Sequence, residues 1–203
     1  PHSEDMHYDV MADDVAELIA DLALGQVDVI GHSIGGKVAM ALTARHPEKV
    51  HRLLVVDMAP KQYQDKHSEI FEALLQLDLS KFTKRSDVDA ELAKTMADKA
   101  IRQFLLMNLV MQNASLYWRL NLPAIADNYS NLLDAVCEGK QITQTTLFLR
   151  GGRSDYIEER DSILIKAIFP NANIITFKQA GHWIHAEMPQ QFIKQVMQFF
   201  DYD

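Results

Sequence analysis

One serine in the sequence stands where a nucleophile could be activated. Ser33 is the central residue of Gly31-His32-Ser33-Ile34-Gly35, which matches the pattern G-x-S-x-G. The apolar stretch VDVI precedes it and an alanine-rich segment follows, so the serine is predicted at a sharp turn from a strand into a helix. Such a turn exposes the hydroxyl, and the helix N-terminus offers N–H groups to developing negative charge. We expect a nucleophile at Ser33 and a first oxyanion donor at the Ile34 N–H. The alternative is a tight turn with a capping serine.

A serine nucleophile needs a general base, and His182 is the best placed of the eight histidines. It lies in QAGHWIHAE, just after the last predicted strand, at the edge where parallel sheets build their sites. It also follows the serine in the chain, as it does in enzymes with this kind of turn. We therefore expect His182 to be the base, His185 to be structural, and His32 to pack or hydrogen-bond within the turn.

Two aspartates could orient the histidine and stabilise its protonated form. Asp57 ends the apolar run LLVVD, and Asp155 follows LFLRGGRS. Both come after predicted strands whose carboxyl ends meet at one edge of a parallel sheet, so either could reach the histidine. Each could instead be a turn or capping aspartate. The residues alone leave the choice open.

The elements that must position these residues alternate along the chain. Helical spacing predicts a helix over Met11–Leu24, with Gly25 at its C-terminus. The remaining predictions are strands at 27–30, 53–56 and 145–152, a last strand within 172–182, and helices that end before Pro47, before Pro170 and near the chain's end. Alternation of this kind predicts an α/β fold with a mostly parallel sheet and right-handed crossovers.

Strand patterns are missing from the middle of the chain, where helical patterns dominate. We therefore expect three parts: residues 1–60 as the first part of the α/β core with the serine turn, 61–140 as a helical cap insertion, and 141–203 as the second part with the histidine. The insertion has an apolar series, which could line an acyl pocket or form only a core stripe: Leu105, Leu106, Met107, Leu109 and Met111.

Composition excludes several classes of function. The chain has 203 residues and a net charge of −8, which disfavours nucleic acid and anionic membranes as partners. Cys137 is the only cysteine, which fits a reducing cytosol and excludes a cysteine-based metal site. No apolar stretch reaches about 18 residues, and GHSIGG is not a dinucleotide motif. We predict a cytoplasmic protein without metal or cofactor.

Several segments together resemble a known family: GHSIGG, VVDMAP, LFLRGGRSDYI and AGHWIHAEMP, with IRQFLLMNL and WRLNLPAIADNY in the insertion. They are similar to the α/β-hydrolase superfamily and, within it, to the YbfF-type bacterial esterases, over essentially the whole chain. The resemblance implies a mostly parallel sheet with helices on both faces and a small helical cap. It also implies hydrolysis of small-molecule esters or thioesters, acyl-CoA-like thioesters included. The alternatives are a carbon–carbon bond hydrolase, a perhydrolase or haloperoxidase, and a hydrolase-fold receptor with little turnover.

Residue by residue, the resemblance makes Ser33 the nucleophile and His182 the base. The superfamily's usual acid corresponds to Asp155, whereas the YbfF-type branch places it at Asp57, which we favour. Tyr63 and Trp183 look like the branch's pocket-wall residues.

The resemblance also has a gap at its N-terminal end. The superfamily's first strands and its oxyanion loop have no counterpart in the 203 residues. We therefore expect an N-terminal segment of the same protein to act as a partner of this chain and to supply the second oxyanion donor. Without it, the strand at 27–30 would be an exposed apolar edge, which promotes aggregation, so we expect the chain not to fold stably alone.

Overall fold

The structure is a computed structural model and describes residues 5–201. In chain order its elements are α1 (Tyr8–Asp21), β1 (Val27–His32), α2 (Ile34–Arg45), β2 (Val50–Val56), α3 (Ser68–Leu75), α4 (Arg85–Leu92), α5 (Lys99–Leu106), β3 (Leu109–Gln112), β4 (Ser115–Trp118), α6 (Leu122–Asp127), α7 (Tyr129–Leu133), β5 (Thr145–Gly151), α8 (Asp161–Ile168), β6 (Asn173–Phe177), α9 (Ile184–Glu187) and α10 (Pro189–Phe199).

These elements form two compact units. The core unit comprises His7–Tyr63 and the chain from Leu132 to the last described residue. The insertion unit comprises Gln64–Asn131, with the first two described residues of the chain.

The core unit is built on a parallel sheet with the strand order β1-β2-β5-β6. His32 at the end of β1 pairs with Val56 at the end of β2, and Val56 pairs with Leu149 on β5. The predicted α/β fold with a parallel sheet is therefore confirmed. Because the strands are parallel and in register, the segments that follow them leave from one edge of the sheet.

The two central strands are buried on both faces, as the apolar runs in the sequence predict. Successive residues of a strand point to opposite faces. On one face, Val55 lies close to the Gly36 backbone of α2. On the other, Leu54 and Val56 belong to a cluster against which the apolar side of α10 packs. The sheet is thus covered by helices on both faces.

Helix α1 differs from its prediction in both its range and its buried side. It begins and ends three residues earlier than expected, and both Ala23, with φ of 50°, and Gly25, with φ of 67°, have a left-handed backbone after it. Its buried side carries Ala12, Ala16 and Ile19, while the larger Leu18 is exposed. Small alanines let a helix approach its neighbour closely, which explains why this side of α1 packs against the core.

The insertion unit contains a β-hairpin that the sequence patterns did not predict. Helical patterns dominate the sequence of the insertion, but α4 and α5 are separate helices and the chain continues as β3, which pairs antiparallel with β4. Asn113 and Ala114 connect the strands, both with positive φ. A two-residue loop of this kind is the favoured hairpin turn, and Asn is one of the residues that tolerate it. The turn chemistry overrides the helical spacing here.

The apolar series in the insertion divides into two groups. Leu106 and Leu109 are buried in the core of the insertion unit itself, and Leu105 packs partly against it. Met107 and Met111 are exposed within the same unit. In residues 5–201, no helix is both long enough and apolar enough to cross a lipid bilayer.

Candidate active site

Ser33 lies at a sharp turn between β1, which ends at His32, and α2, which begins at Ile34. Its backbone has φ 56° and ψ −127°, a combination that a residue with a side chain rarely adopts. The turn is held because the Ser33 N–H donates to the Val56 carbonyl at 3.2 Å. The strained turn directs the serine out of both regular elements, as the G-x-S-x-G pattern predicts.

The glycines around the serine do not contribute equally. A Cβ atom on Gly31 would lie 2.3 Å from the backbone oxygen of Gly35, so only glycine fits there. A Cβ atom on Gly35 would meet nothing within 4 Å. Packing at the turn therefore requires glycine at position 31 but not at position 35. Close approach between the end of β1 and the first turn of α2 explains the need at Gly31.

His182 lies in the loop between β6 and α9, which the parallel sheet brings to the same edge as Ser33. Its Nε2 is 3.0 Å from Ser33 Oγ, a hydrogen-bond distance. The side chain is 17% exposed, so the ring is largely shielded from water. The structure therefore brings the predicted nucleophile and the predicted base together.

Asp57 follows β2 and its side chain is fully buried. Its Oδ2 is 2.9 Å from His182 Nδ1, and its Oδ1 accepts a hydrogen bond from the Gly151 N–H at 2.8 Å. The Ser154 hydroxyl also donates to Oδ2. A carboxylate can only accept, so His182 donates through Nδ1 and leaves Nε2 as the acceptor for the serine proton. This is the tautomer that a general base needs.

Asp155, the other predicted acid, lies in the loop after β5 and is exposed. Both nitrogens of the His182 ring already have partners, one in Asp57 and one in Ser33. The residue of this loop that does reach the buried carboxylate is Ser154, for which no role was predicted. The signal was present, since a serine next to a candidate acid after a strand can donate to a neighbouring carboxylate.

Histidine and tryptophan rings surround the base. His32 Nε2 donates to the backbone carbonyl of His182 at 2.9 Å, and the two rings lie 4.6 Å apart. Burial lowers the pKa of His32, which favours its neutral form. Trp183 lies 5.2 Å from the His32 ring and is 39% exposed. The exposed His185 makes an edge contact with His32 at 4.8 Å. The expectation that His32 would hydrogen-bond within the turn is therefore wrong in its partner, because His32 joins the turn to the loop that carries His182.

Two tyrosines also lie at the site. Tyr63 accepts a hydrogen bond from the Ala59 N–H at 2.8 Å and donates to the Tyr156 carbonyl at 2.6 Å. Burial raises the pKa of Tyr63 far above its usual range. The Tyr156 ring stacks on the His182 ring, with centroids 4.0 Å apart. The resemblance singled out Tyr63 as a pocket wall, but we did not anticipate a role for Tyr156.

Lys37 is fully buried one turn into α2, and no pattern in the sequence singled it out. Its ammonium donates to the backbone carbonyls of Leu133 and Asp134 and lies 4.7 Å from the centre of the Tyr63 ring. Burial lowers its pKa to about 8. The lysine joins the serine-bearing helix to the segment where the chain re-enters the core unit.

The first helical residue after the serine completes the arrangement. Ile34 opens α2, so its N–H has no acceptor one turn earlier in the helix and is available to an oxyanion. In the described part of the chain, no group of three or more His, Cys, Asp or Glu side chains could hold a metal ion. The site can therefore transfer a proton from a serine hydroxyl through an oriented imidazole.

Comparisons with known proteins agree with this geometry. A family model described as "alpha/beta hydrolase fold" matches residues 1–189. The chain is 38% identical to a putative esterase/lipase of Haemophilus influenzae, over 98% of this chain and 69% of that protein. It is 31% identical to esterase YbfF of Escherichia coli, over 99% of this chain and 78% of that protein.

A solved structure described as "Marine microorganism esterase" superposes with a TM-score of 0.94 at 38% identity, covering 98% of this chain and 79% of that one. The chain spans from 65% to 78% of the length of curated relatives of this kind.

Proposed function

The chain belongs to the α/β-hydrolase family, in the branch that includes the YbfF esterase, and from this we propose that it is a serine hydrolase that cleaves carboxylic esters through an acyl-enzyme. The observation that carries the proposal is the unbroken chain of contacts from Ser33 Oγ to His182 Nε2, at 3.0 Å, and from His182 Nδ1 to Asp57, at 2.9 Å. Relatives named as esterases or lipases support the same reaction class.

The reaction follows from which atoms can move a proton. Ser33 Oγ attacks the acyl carbonyl as His182 Nε2 takes its proton, and Asp57 stabilises the imidazolium that forms. The Ile34 N–H donates to the oxyanion. The leaving alcohol departs with the proton from His182, and the acyl group stays on Ser33. Water, deprotonated by the same imidazole, then releases the acid and restores the serine.

The resemblance to the YbfF-type esterases extends the proposed substrates from esters to thioesters. Thioesters, acyl-CoA-like ones included, undergo the same addition and expulsion at the carbonyl, with a thiolate as the leaving group. We expect this protein to hydrolyse both p-nitrophenyl esters and acyl thioesters. A preference for one over the other is measured by kcat/KM for a matched pair that carries the same acyl chain.

The decisive experiment combines a label and a substitution. A serine-directed phosphonate is reacted with the protein and the labelled peptide is identified by mass spectrometry. Ser33 should carry the label, and Ser33→Ala should lose it together with about 10⁴-fold or more of kcat on p-nitrophenyl esters. Ser162→Ala, which removes a hydroxyl that donates to the Glu159 carbonyl, is the matched control. Label on another residue, or turnover by Ser33→Ala, rejects the proposal.

The same substitution separates an enzyme from a receptor on this fold. A receptor that keeps Ser33, His182 and Asp57 but turns over little would bind its ligand equally well with and without the Ser33→Ala substitution. An enzyme loses turnover while its substrate affinity changes little.

A further inference from the structure

The ring of Tyr156 lies face to face with the ring of His182. Their centroids are 4.0 Å apart and their planes differ by 23°. The other rings near the imidazole meet it differently: His32 is tilted by 38° at 4.6 Å, and Trp183 meets it edge-on at 5.8 Å. Tyr156 therefore covers one flat side of the imidazole, while the edges of that ring face Asp57 and Ser33.

This stack suits a ring that alternates between neutral and cationic forms. The face of an aromatic ring carries partial negative charge and attracts a cation held within about 6 Å of its centre. A flat neighbour also hinders rotation of the imidazole out of the plane in which Nδ1 meets Asp57 and Nε2 meets Ser33. Orientation and charge stabilisation both act in the steps where His182 carries the proton.

Both the backbone N–H and the backbone carbonyl of Tyr156 make hydrogen bonds. Its N–H donates to the Ser154 hydroxyl oxygen at 3.3 Å, and its carbonyl accepts from the Tyr63 hydroxyl at 2.6 Å. The same Tyr63 hydroxyl accepts from the Ala59 N–H at 2.8 Å. Tyr63 thus ties the segment after β2, which carries Asp57, to the segment after β5. The backbone that carries the Tyr156 ring is therefore hydrogen-bonded to the segment that carries Asp57.

We propose that Tyr156 is a positioning residue for the reaction: its ring holds the His182 imidazole in the plane that joins Asp57 to Ser33 and stabilises the imidazolium formed at each proton transfer. The proposal rests on the proposed function, since it assumes that His182 is the base. It goes beyond that function because it assigns a role to a side chain that itself transfers no proton.

Other groups that face the imidazole also bear on its protonation. They are Asp57 from the segment after β2, His32 from the end of β1, Trp183 from its own loop, and Ser33 at the turn; His185 acts through its contact with His32. None of them is altered by a substitution at position 156, so the effect of the stack can be measured against a constant background.

The test compares Tyr156→Leu, which removes the ring, with Tyr156→Phe, which keeps it. The measurement is kcat/KM against pH from 5 to 9 on a p-nitrophenyl ester. We expect Tyr156→Phe to keep the profile of the unaltered protein. Tyr156→Leu should lower kcat about tenfold and move the acid limb of the profile to lower pH by about 0.5 to 1, because the imidazolium loses a stabilising neighbour.

A purely structural role for Tyr156 would lower activity equally at every pH and leave the acid limb in place, and that result overturns the proposal. So does an acid limb that moves as far for Tyr156→Phe as for Tyr156→Leu. If Tyr156→Leu does not fold, pentafluorophenylalanine in place of Tyr156 keeps the shape of the ring while removing the negative charge of its face. It should move the acid limb to lower pH relative to Tyr156→Phe, and an unchanged limb rejects the proposal.

Ser33→Ala is measured alongside. Turnover by Ser33→Ala would reject the proposed function itself. An inactive Ser33→Ala with an unmoved acid limb for the position-156 variants would reject only the role of Tyr156.

Discussion

The Nδ1 atom of His182 lies 2.9 Å from Oδ2 of Asp57, although 125 residues separate the two along the chain. Asp57 follows β2, next to β1 in the sheet, and has a positive φ of 50° that turns the chain just after the strand. A fully buried carboxylate is costly unless its oxygens are hydrogen-bonded, and here three donors meet it. The pairing defines which ring nitrogen is free to take a proton from Ser33.

Replacing the buried acid should disable the base. We expect Asp57→Asn to lower kcat about 10⁴-fold, because an amide can stabilise neither the needed tautomer nor the imidazolium. Asp155→Asn is the matched control, with the same chemical change at the exposed aspartate after β5, and it should leave kcat almost unchanged. Steady-state kinetics on a p-nitrophenyl ester measures both. A larger loss for Asp155→Asn would reverse the assignment of the acid.

Removing the hydroxyl that supports the acid should have a smaller effect. Ser154 donates to Asp57 Oδ2, and a hydrogen bond to a charged group contributes about 1.5 to 3 kcal/mol. We expect Ser154→Ala to lower kcat about tenfold and Ser154→Thr, which keeps the hydroxyl, to restore most of it. Ser162→Ala serves again as the control. Equal activity of Ser154→Ala and the unaltered protein would show that the other two donors suffice.

The two glycines around the serine should respond in opposite ways to alanine. Gly31→Ala places a Cβ atom 2.3 Å from a backbone oxygen, so it should lower the free energy of unfolding by about 3 kcal/mol and abolish activity. Gly35→Ala meets nothing within 4 Å in the first turn of α2. It should raise the free energy of unfolding by up to about 1 kcal/mol, since alanine is the better helix former. Urea unfolding measures both, and destabilisation by Gly35→Ala contradicts the expectation.

Lys37 should make stability depend on pH above 8. Burial lowers the pKa of Lys37 from 10.5 to about 8 in the folded protein, which corresponds to about 3 kcal/mol. Between pH 8 and 10.5 the unfolded chain binds more protons at this position than the folded chain does. The contribution of Lys37 to the free energy of unfolding is therefore least favourable below pH 8 and improves as the pH rises.

Urea unfolding of the unaltered protein and of Lys37→Met, from pH 7 to pH 10, isolates this contribution. The difference between the two free energies of unfolding should shift by about 2 kcal/mol in favour of the unaltered protein over that range. The exposed Lys94→Met is the matched control and should show no such shift. A pH-independent difference for Lys37→Met would mean that the ammonium titrates as it does in water.

Short-range patterns in the sequence were enough to predict the serine turn and the fold class. An apolar strand, a glycine that permits close approach and a helix that begins at once are neighbours in the chain, so the turn at Ser33 is encoded within a few residues. Each strand and helix is likewise marked by the spacing of nearby apolar residues, and the alternation of these elements predicted the parallel sheet. The hairpin from β3 to β4 was not predicted, because the apolar residues of this region have helical spacing. The two-residue turn at Asn113 and Ala114 favours a hairpin more strongly than that spacing favours a helix.

Only the tertiary structure decided which groups meet. The residues alone left Asp57 and Asp155 open as the acid, and only the resemblance favoured Asp57. Which of the two meets His182 depends on the direction in which the chain turns after each strand. The support from Ser154, the stacked ring of Tyr156 and the burial of Lys37 leave no periodic signal in the sequence. Each arises from the register and packing of elements far apart in the chain, because only the folded sheet brings the ends of β1, β2 and β5 to the same edge.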